Sequence, residues 1–223
     1  MTGLSDWDAE LCTFESFIDD LEAAFDAAEV ERAPILAMSQ GCAVAAAFAA
    51  RRPERVSAIL MIGGFPVGAA KRASERDATR ATAMRQMFAA SWDDDHLSLR
   101  HLMAQAMVPG ASDEARNQFA RDMRDMISPE NMVRYRDVVD YIDVRALLPE
   151  VQAPCLVCHA TNDRMQPAEF GREMAKGMPH ASFVSYDSPN HMMPANDPEW
   201  HRMERDALGF LASHEPLNYV TRR

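Results

Sequence analysis

Four short apolar runs, each long enough for one buried strand, most constrain what this chain can fold into. They occupy residues 34–38, 56–62, 154–159 and 182–186. The second run reads VSAILMI, and such a strand, apolar on both faces, is typical of a parallel sheet covered by helices on each side. Because helical patterns separate the runs, at 41–51 and 168–176, the sequence predicts an α/β fold with a mainly parallel sheet.

Helical segments account for most of the remaining chain. An amphipathic helix capped by Thr13 is predicted over residues 14–28, and a last helix over about 198–211. Between the second and third apolar runs the strand pattern stops and several helices follow. We therefore predict an α/β core made of residues 1–65 and 149–223, with a helical cap of residues 66–148 inserted where it would cover a bound ligand.

The first apolar run leads directly into a serine, in the sequence AMSQG. A nucleophile elbow places a serine at such a strand-to-helix turn, where the strained backbone favours small residues two places before and after it. Here these residues are Ala37 and Gly41, with alanine in place of the usual first glycine. This motif alone leaves two interpretations of Ser39 open: a catalytic nucleophile, or a small residue in a tight turn.

The order of two further residues favours the nucleophile. Asp163 follows the third run, in HATNDRMQP, and His191 follows the fourth, in SPNHMMP. Since the carboxyl ends of parallel strands meet at one edge of a sheet, the three side chains are expected to converge there. His191 could then accept the serine proton while Asp163 orients the imidazole.

These segments, ILAMSQGCAVAAAFAARRPERVSAILMIGG, PCLVCHATNDRMQP and FVSYDSPNHMM, resemble the α/β-hydrolase-fold superfamily in this order along nearly the whole chain. The opening GLSDW and MSQGCAVA further resemble hydrolase-like domains fused to bacterial transcriptional regulators or cyclases, near proline iminopeptidases and small esterases. The resemblance implies Ser39 as nucleophile, His191 as general base, Asp163 as the orienting acid and the backbone N–H of Gln40 as an oxyanion donor.

The resemblance also implies a shortened fold. In that family GLSDW normally follows the fourth strand, so the first three or four strands and the loop with the second oxyanion donor are expected to be missing. Loss of one such donor lowers turnover by about 10²–10³. The strand at 35–38 would also be left at an exposed sheet edge, which a homodimer or a rearranged segment could cover.

Two classes of function follow. The first is a serine hydrolase that cleaves an ester or other acyl substrate through an acyl-enzyme and needs no cofactor. The alternative is a sensory module that binds an apolar small molecule with little or no catalysis. Met38, Met165 and Met192 flank the three site residues in sequence and are expected to line the pocket, with ordinary core packing as the equal alternative.

Charge and cysteine patterns argue against other classes. A net charge of −11 disfavours nucleic acid, and no signal peptide or membrane helix is recognisable, so we predict a cytoplasmic protein without a membrane partner. Cys155 and Cys158 should point to opposite faces of a strand and stay reduced. The DDDH segment at 93–96 has no second ligand set, and no metal site is predicted.

Overall fold

The four apolar runs form one parallel sheet. The structure, a computed structural model, describes residues 2–10, 12–72, 74–94 and 98–214. Its strands lie in the order β1, β2, β3, β4, and every neighbouring pair is parallel, as the sequence predicted. The strands are β1 (Ala33–Met38), β2 (Val56–Ile62), β3 (Cys155–Ala160) and β4 (Ala181–Tyr186).

Helices flank and interrupt this sheet. Thr13 caps the first of them: its hydroxyl accepts a hydrogen bond from the Ser16 N–H at 3.0 Å, and the Ser16 hydroxyl accepts one from the Thr13 N–H at 3.1 Å. The N-terminal cap predicted at Thr13 is therefore confirmed. The helices are α1 (Phe14–Ala27), α2 (Gly41–Arg51), α3 (Glu75–Ser91), α4 (Ser98–Met107), α5 (Asp113–Met126), α6 (Pro129–Val139), α7 (Ala168–Gly177) and α8 (Trp200–His214).

The last helix differs from the prediction at both ends. It begins at Trp200, rather than 198, because Asp197 makes a turn there: its side chain accepts a hydrogen bond from the Glu199 N–H and its carbonyl one from the Trp200 N–H. The helix continues to His214, three residues beyond the predicted end. A polar side chain that accepts a hydrogen bond from the backbone two residues later favours a turn over a helix. The helix therefore begins after this turn.

Both faces of the sheet are buried, as the apolar runs require. On one face Met61 packs with Phe48 of α2 and Met174 of α7. On the other, Leu60 packs with Met203 of α8. Alternate residues of one strand thus enter two different cores, and each large side chain buried in this way stabilises the fold by about 1.5–3 kcal/mol.

The cysteines of CLVC follow the same alternation. Cys155 belongs to the core beneath α2 and α7, whereas Cys158 belongs to the one beneath α8, so the two thiols cannot meet. Both are free thiols. Burial raises the pKa of Cys155 to about 12 and that of Cys158 to about 11, which makes them inert core residues rather than redox groups.

The four helices α3 to α6 lie between β2 and β3 and enclose an apolar cluster of their own. Phe88 and Trp92 meet edge to face within it, and an isolated antiparallel bridge between Val67 and Asp143 joins the two ends of the segment. The division into an α/β core and a helical cap, with the boundaries given above, stays a prediction. Asp95 and His96 of the DDDH segment lie outside the described residues.

Candidate active site

Ser39 occupies the turn between β1 and α2 with a left-handed backbone. Its φ is +54°, a conformation that costs a residue with a side chain about 1–3 kcal/mol and is found chiefly where the fold enforces it. The Ser39 N–H donates to the carbonyl of Ile62 at 2.8 Å, which ties the turn to the end of β2. A Cβ added at Gly41 would meet nothing within 4 Å, so the steric reason expected for a glycine there does not apply in this structure.

The amide that follows Ser39 is available to an anion. Gln40 precedes the first turn of α2, and in the described part of the chain its N–H has no hydrogen-bond acceptor. Unpaired amide groups at the beginning of a helix carry partial positive charge. The geometry thus suits the role of oxyanion donor that the resemblance implies for Gln40, which stays a prediction.

Asp163 and His191 lie side by side beyond the carboxyl ends of β3 and β4. His191 Nδ1 is 2.7 Å from Asp163 Oδ2, and both side chains are buried. The other carboxylate oxygen accepts hydrogen bonds from the N–H groups of Met165 and Gln166, at 2.8 and 2.9 Å. A carboxylate held in this way fixes which nitrogen of the imidazole carries the proton.

These contacts keep Asp163 ionised. Burial by itself would raise the pKa of Asp163, but the nearby His159 ring, the hydrogen bond and charge of His191 and the Gln166 N–H lower it to about 2. A carboxylate that stays charged next to an imidazole stabilises the imidazolium when that ring accepts a proton.

His159, near the end of β3, lies next to the same carboxylate. Its Nε2 lies 2.7 Å from the Gln166 carbonyl, to which it donates, and 3.4 Å from Asp163 Oδ2. A Cβ at Gly171, in α7, would lie 2.4 Å from His159 Nδ1, so only glycine fits at this position beside the ring. The histidine therefore holds the loop of Asp163 in place.

Gly63 and a polar network position His191. Gly63 has a φ of +62°, and a Cβ there would lie 2.8 Å from His191 Cε1. Behind the ring, the Ser188 hydroxyl and the Asn190 amide both donate to Asp197, at 2.6 and 2.7 Å. In the sequence, only the SPN turn before His191 gives a local signal for these residues, and it does not reveal their roles.

The loop of His191 is also bonded to the helical segment. The Gly110 N–H donates to Asn190 Oδ1 at 2.8 Å, and the Met192 N–H donates to the Met107 carbonyl at 3.1 Å. A Cβ at Gly110 would meet the Asn190 amide at 2.8 Å. The end of α4 therefore packs directly against the histidine loop.

Ser39 and His191 line one cavity of about 370 Å³ between the sheet edge and the helical segment. Among the described residues, the Ser39 hydroxyl and the His191 ring do not form a hydrogen bond. Met165 and Met192 line this cavity and Met38 does not, and the substrate pocket expected from the sequence stays a prediction. Met38 instead borders a groove outside β1, because the last residue of the edge strand faces away from the cavity.

The described residues include no group of three or more His, Cys, Asp or Glu side chains able to hold a metal ion. Within them, no helix has both the length and the hydropathy needed to cross a membrane.

A left-handed serine after one strand, with a buried acid–histidine pair after the later strands of the same parallel sheet, defines the class of α/β proteins with a nucleophile elbow. The model of the alpha/beta hydrolase family matches residues 2–201. The chain therefore belongs to the alpha/beta hydrolase family.

One known protein similar in sequence to this chain is a hydrolase. The chain is 25% identical over 177 residues to the 2-hydroxy-6-oxononadienedioate/2-hydroxy-6-oxononatrienedioate hydrolase 2 of Pseudomonas putida, an alignment that covers 77% of this chain and 60% of that protein. The chain thus spans less than two thirds of the length of this relative.

Solved structures show the same fold. The esterase of Exiguobacterium antarcticum superimposes with a TM-score of 0.79 at 16% identity, over 94% of this chain and 78% of the esterase. The bromoperoxidase of Bacillus anthracis gives a TM-score of 0.78 at 18% identity, over 95% and 78% of the two chains.

Proposed function

We propose that this protein is a serine hydrolase that cleaves esters or other acyl compounds through an acyl-enzyme, with Ser39, His191 and Asp163 as its catalytic triad. The observation that carries the proposal is the 2.7 Å contact between buried Asp163 and His191 in the cavity that Ser39 also lines. The family and the hydrolases among its relatives support the same reaction class.

In the acylation step, Ser39 Oγ attacks the carbonyl carbon of the substrate while His191 Nε2 accepts the hydroxyl proton. The carbonyl oxygen becomes an oxyanion, which the Gln40 N–H stabilises. Asp163 stabilises the imidazolium so formed. The bond to the leaving group then breaks, and His191 returns the proton to that group.

Deacylation repeats these steps with water as the nucleophile. His191 accepts a proton from water, whose oxygen attacks the acyl carbon, and the proton passes to Ser39 as the ester bond to the enzyme breaks. For each turnover one water is consumed, and the acid and the alcohol or amine are released. With the Gln40 N–H as the one oxyanion donor assigned among the described residues, we propose that turnover is about 10²–10³ slower than that of an enzyme with two donors.

A fluorophosphonate probe tests this assignment without knowledge of the substrate. Intact mass should increase by one phosphonyl adduct per chain, and the increase should be absent in Ser39→Ala. The matched control is Ser182→Ala, an exposed serine on β4, which should label like the wild type. Folded protein that stays unlabelled, or labelling that persists in Ser39→Ala, would sink the proposal.

A second candidate is a sensory module that binds an apolar molecule with weak or no catalysis. The methionine-rich lining of the cavity favours it. It also fits the resemblance to hydrolase-like domains fused to bacterial regulators or cyclases. Folded protein that binds an apolar dye in this cavity yet does not react with the fluorophosphonate would support this candidate.

A further inference from the structure

The wall of the active-site cavity contains an arginine that has no role in the proposed triad. Arg136, on α6, is the one Arg, Lys, Asp or Glu among the described residues that line the cavity. Its surroundings are largely methionine and aromatic side chains, and the Phe88 ring lies 6.0 Å from its guanidinium. A cation in an apolar wall is unfavourable unless an anion or hydrogen-bond acceptor compensates it.

Arg136 is only partly compensated within the protein. Its Nη2 donates to the buried carboxylate of Asp140 one helical turn further on. Its Nε is buried and has no hydrogen-bond partner in the described part of the chain. A guanidinium carries five N–H donors in a planar fork, so donors remain for a second acceptor, and 20% of the side chain is still exposed.

A second guanidinium, that of Arg72, also lies near the Asp140 carboxylate. Burial raises the pKa of Asp140, and Arg136 and then Arg72 oppose that rise through their charges. Arg72 also donates to Gln166 Oε1 at 2.6 Å, and Gln166 is itself a lining residue. Asp77 and Glu169 lie near Arg72 as well, but among the ion pairs of the described residues Asp140 is the one carboxylate bonded to Arg136, so this guanidinium can still bind a further anion.

We propose that the cavity binds acyl substrates whose acyl chain ends in a carboxylate, and that Arg136 holds this carboxylate while the carbonyl to be cleaved lies at Ser39. The inference rests on the proposed function and names its substrate class. A volume of about 370 Å³ is suited to a small ligand of this kind. Arg136 acts as a specificity residue: the remote carboxylate stays unchanged while the ester bond is hydrolysed.

Two esters of the same shape test the proposal. Mono-4-nitrophenyl adipate carries a terminal carboxylate, and 4-nitrophenyl 6-methylheptanoate has an isopropyl group of similar size in its place. The wild type should prefer the adipate in kcat/KM. Arg136→Gln should lower kcat/KM for the adipate by about 10- to 100-fold, the worth of a hydrogen-bonded charge pair, and leave the neutral ester within about twofold.

Two variants control for structural damage. Arg85→Gln removes another arginine bonded to an aspartate of α6, Asp137, outside the cavity, and should not change the preference between the esters. Arg136→Gln combined with Asp140→Asn removes both charges, so no buried carboxylate is left unpaired, and should lose the preference for the adipate. An equal loss on both esters in that double variant, or an undiminished adipate preference in Arg136→Gln, would overturn the proposal.

Binding separates this inference from the proposed function. If neither ester is hydrolysed and the fluorophosphonate does not label Ser39, the hydrolase assignment fails by itself. The cavity is then probed in Ser39→Ala by calorimetry with monomethyl adipate and dimethyl adipate. Binding of the monoanion that disappears on adding Arg136→Gln would support the carboxylate site, whereas equal binding of both compounds, or none, would overturn it.

Discussion

At the scale of single residues, Asp163 links the candidate site to stability. Its pKa of about 2 in the folded protein lies below the ordinary value of 3.8. A depressed pKa means that the carboxylate stabilises the folded state above about pH 4 and that this contribution is lost as the pH falls towards 2. The contribution at neutral pH is on the order of 2 kcal/mol.

The variant Asp163→Asn should therefore be less stable than the wild type at pH 7, and the difference should shrink as the pH is lowered from 4 to below 3. Urea unfolding at a series of pH values measures this difference directly. A gap between the two proteins that stays constant over this range would show that Asp163 does not carry the depressed pKa.

Gly63 is the residue on which the orientation of the histidine depends most closely. Gly63→Ala should displace the His191 ring, since the new Cβ would lie 2.8 Å from Cε1, and should strain the backbone at a φ of +62°. We expect fluorophosphonate labelling at least about tenfold slower and a loss of about 1–2 kcal/mol in the free energy of unfolding.

Gly209→Ala is the matched control, because a Cβ there meets nothing within 4 Å and α8 should gain up to about 1 kcal/mol from the better helix former. Labelling of Gly63→Ala at the wild-type rate would mean that the ring is not held by this glycine.

At the scale of elements, β1 has one unpartnered edge. In the described part of the chain it pairs only with β2, and a groove along its other side is bordered by α1 and the side chain of Leu36, which is 65% exposed. An open strand edge with an apolar side chain favours pairing with another strand. Glu10, Asp19 and Asp20 line the same groove, so two copies would repel each other at low salt.

We expect a homodimer that joins the two β1 edges and strengthens with added salt. Leu36→Lys should shift the protein to monomer in light scattering after size exclusion, whereas Leu208→Lys, at another exposed leucine on α8, should not. A wild type that remains monomeric at about 100 μM in 0.5 M salt would contradict the dimer.

The strands are also the elements that sequence reasoning predicts best. VSAILMI and CLVCHA are buried along nearly their whole length. A short segment with apolar residues at nearly every position is typical of a strand that is covered on both faces. The ends of helices depend on single hydrogen bonds, and Asp197 illustrates this: its turn sets the beginning of α8, and the helical pattern does not reveal it.

At the scale of the whole molecule, local motifs predicted the family and the order of the candidate site residues but not the contacts among distant segments. Ser39, Asp163 and His191 each follow an apolar strand, so the parallel topology alone predicts that they meet. The approach of Gly110 to Asn190, 80 residues away, follows no periodic pattern. Arg136 likewise has no local signal in the sequence, since only the folded arrangement brings α6 to the cavity that Ser39 and His191 line.

The two hydrogen bonds between the helical segment and the histidine loop, Gly110 to Asn190 and Met192 to Met107, tie the position of that loop to the position of the helices. If these helices swing outward to admit a substrate, they pull on the loop that carries His191. His191 would then be aligned with Ser39 only after the cavity has closed. An open molecule would not react, and water that entered before the substrate would find Ser39 without an aligned base.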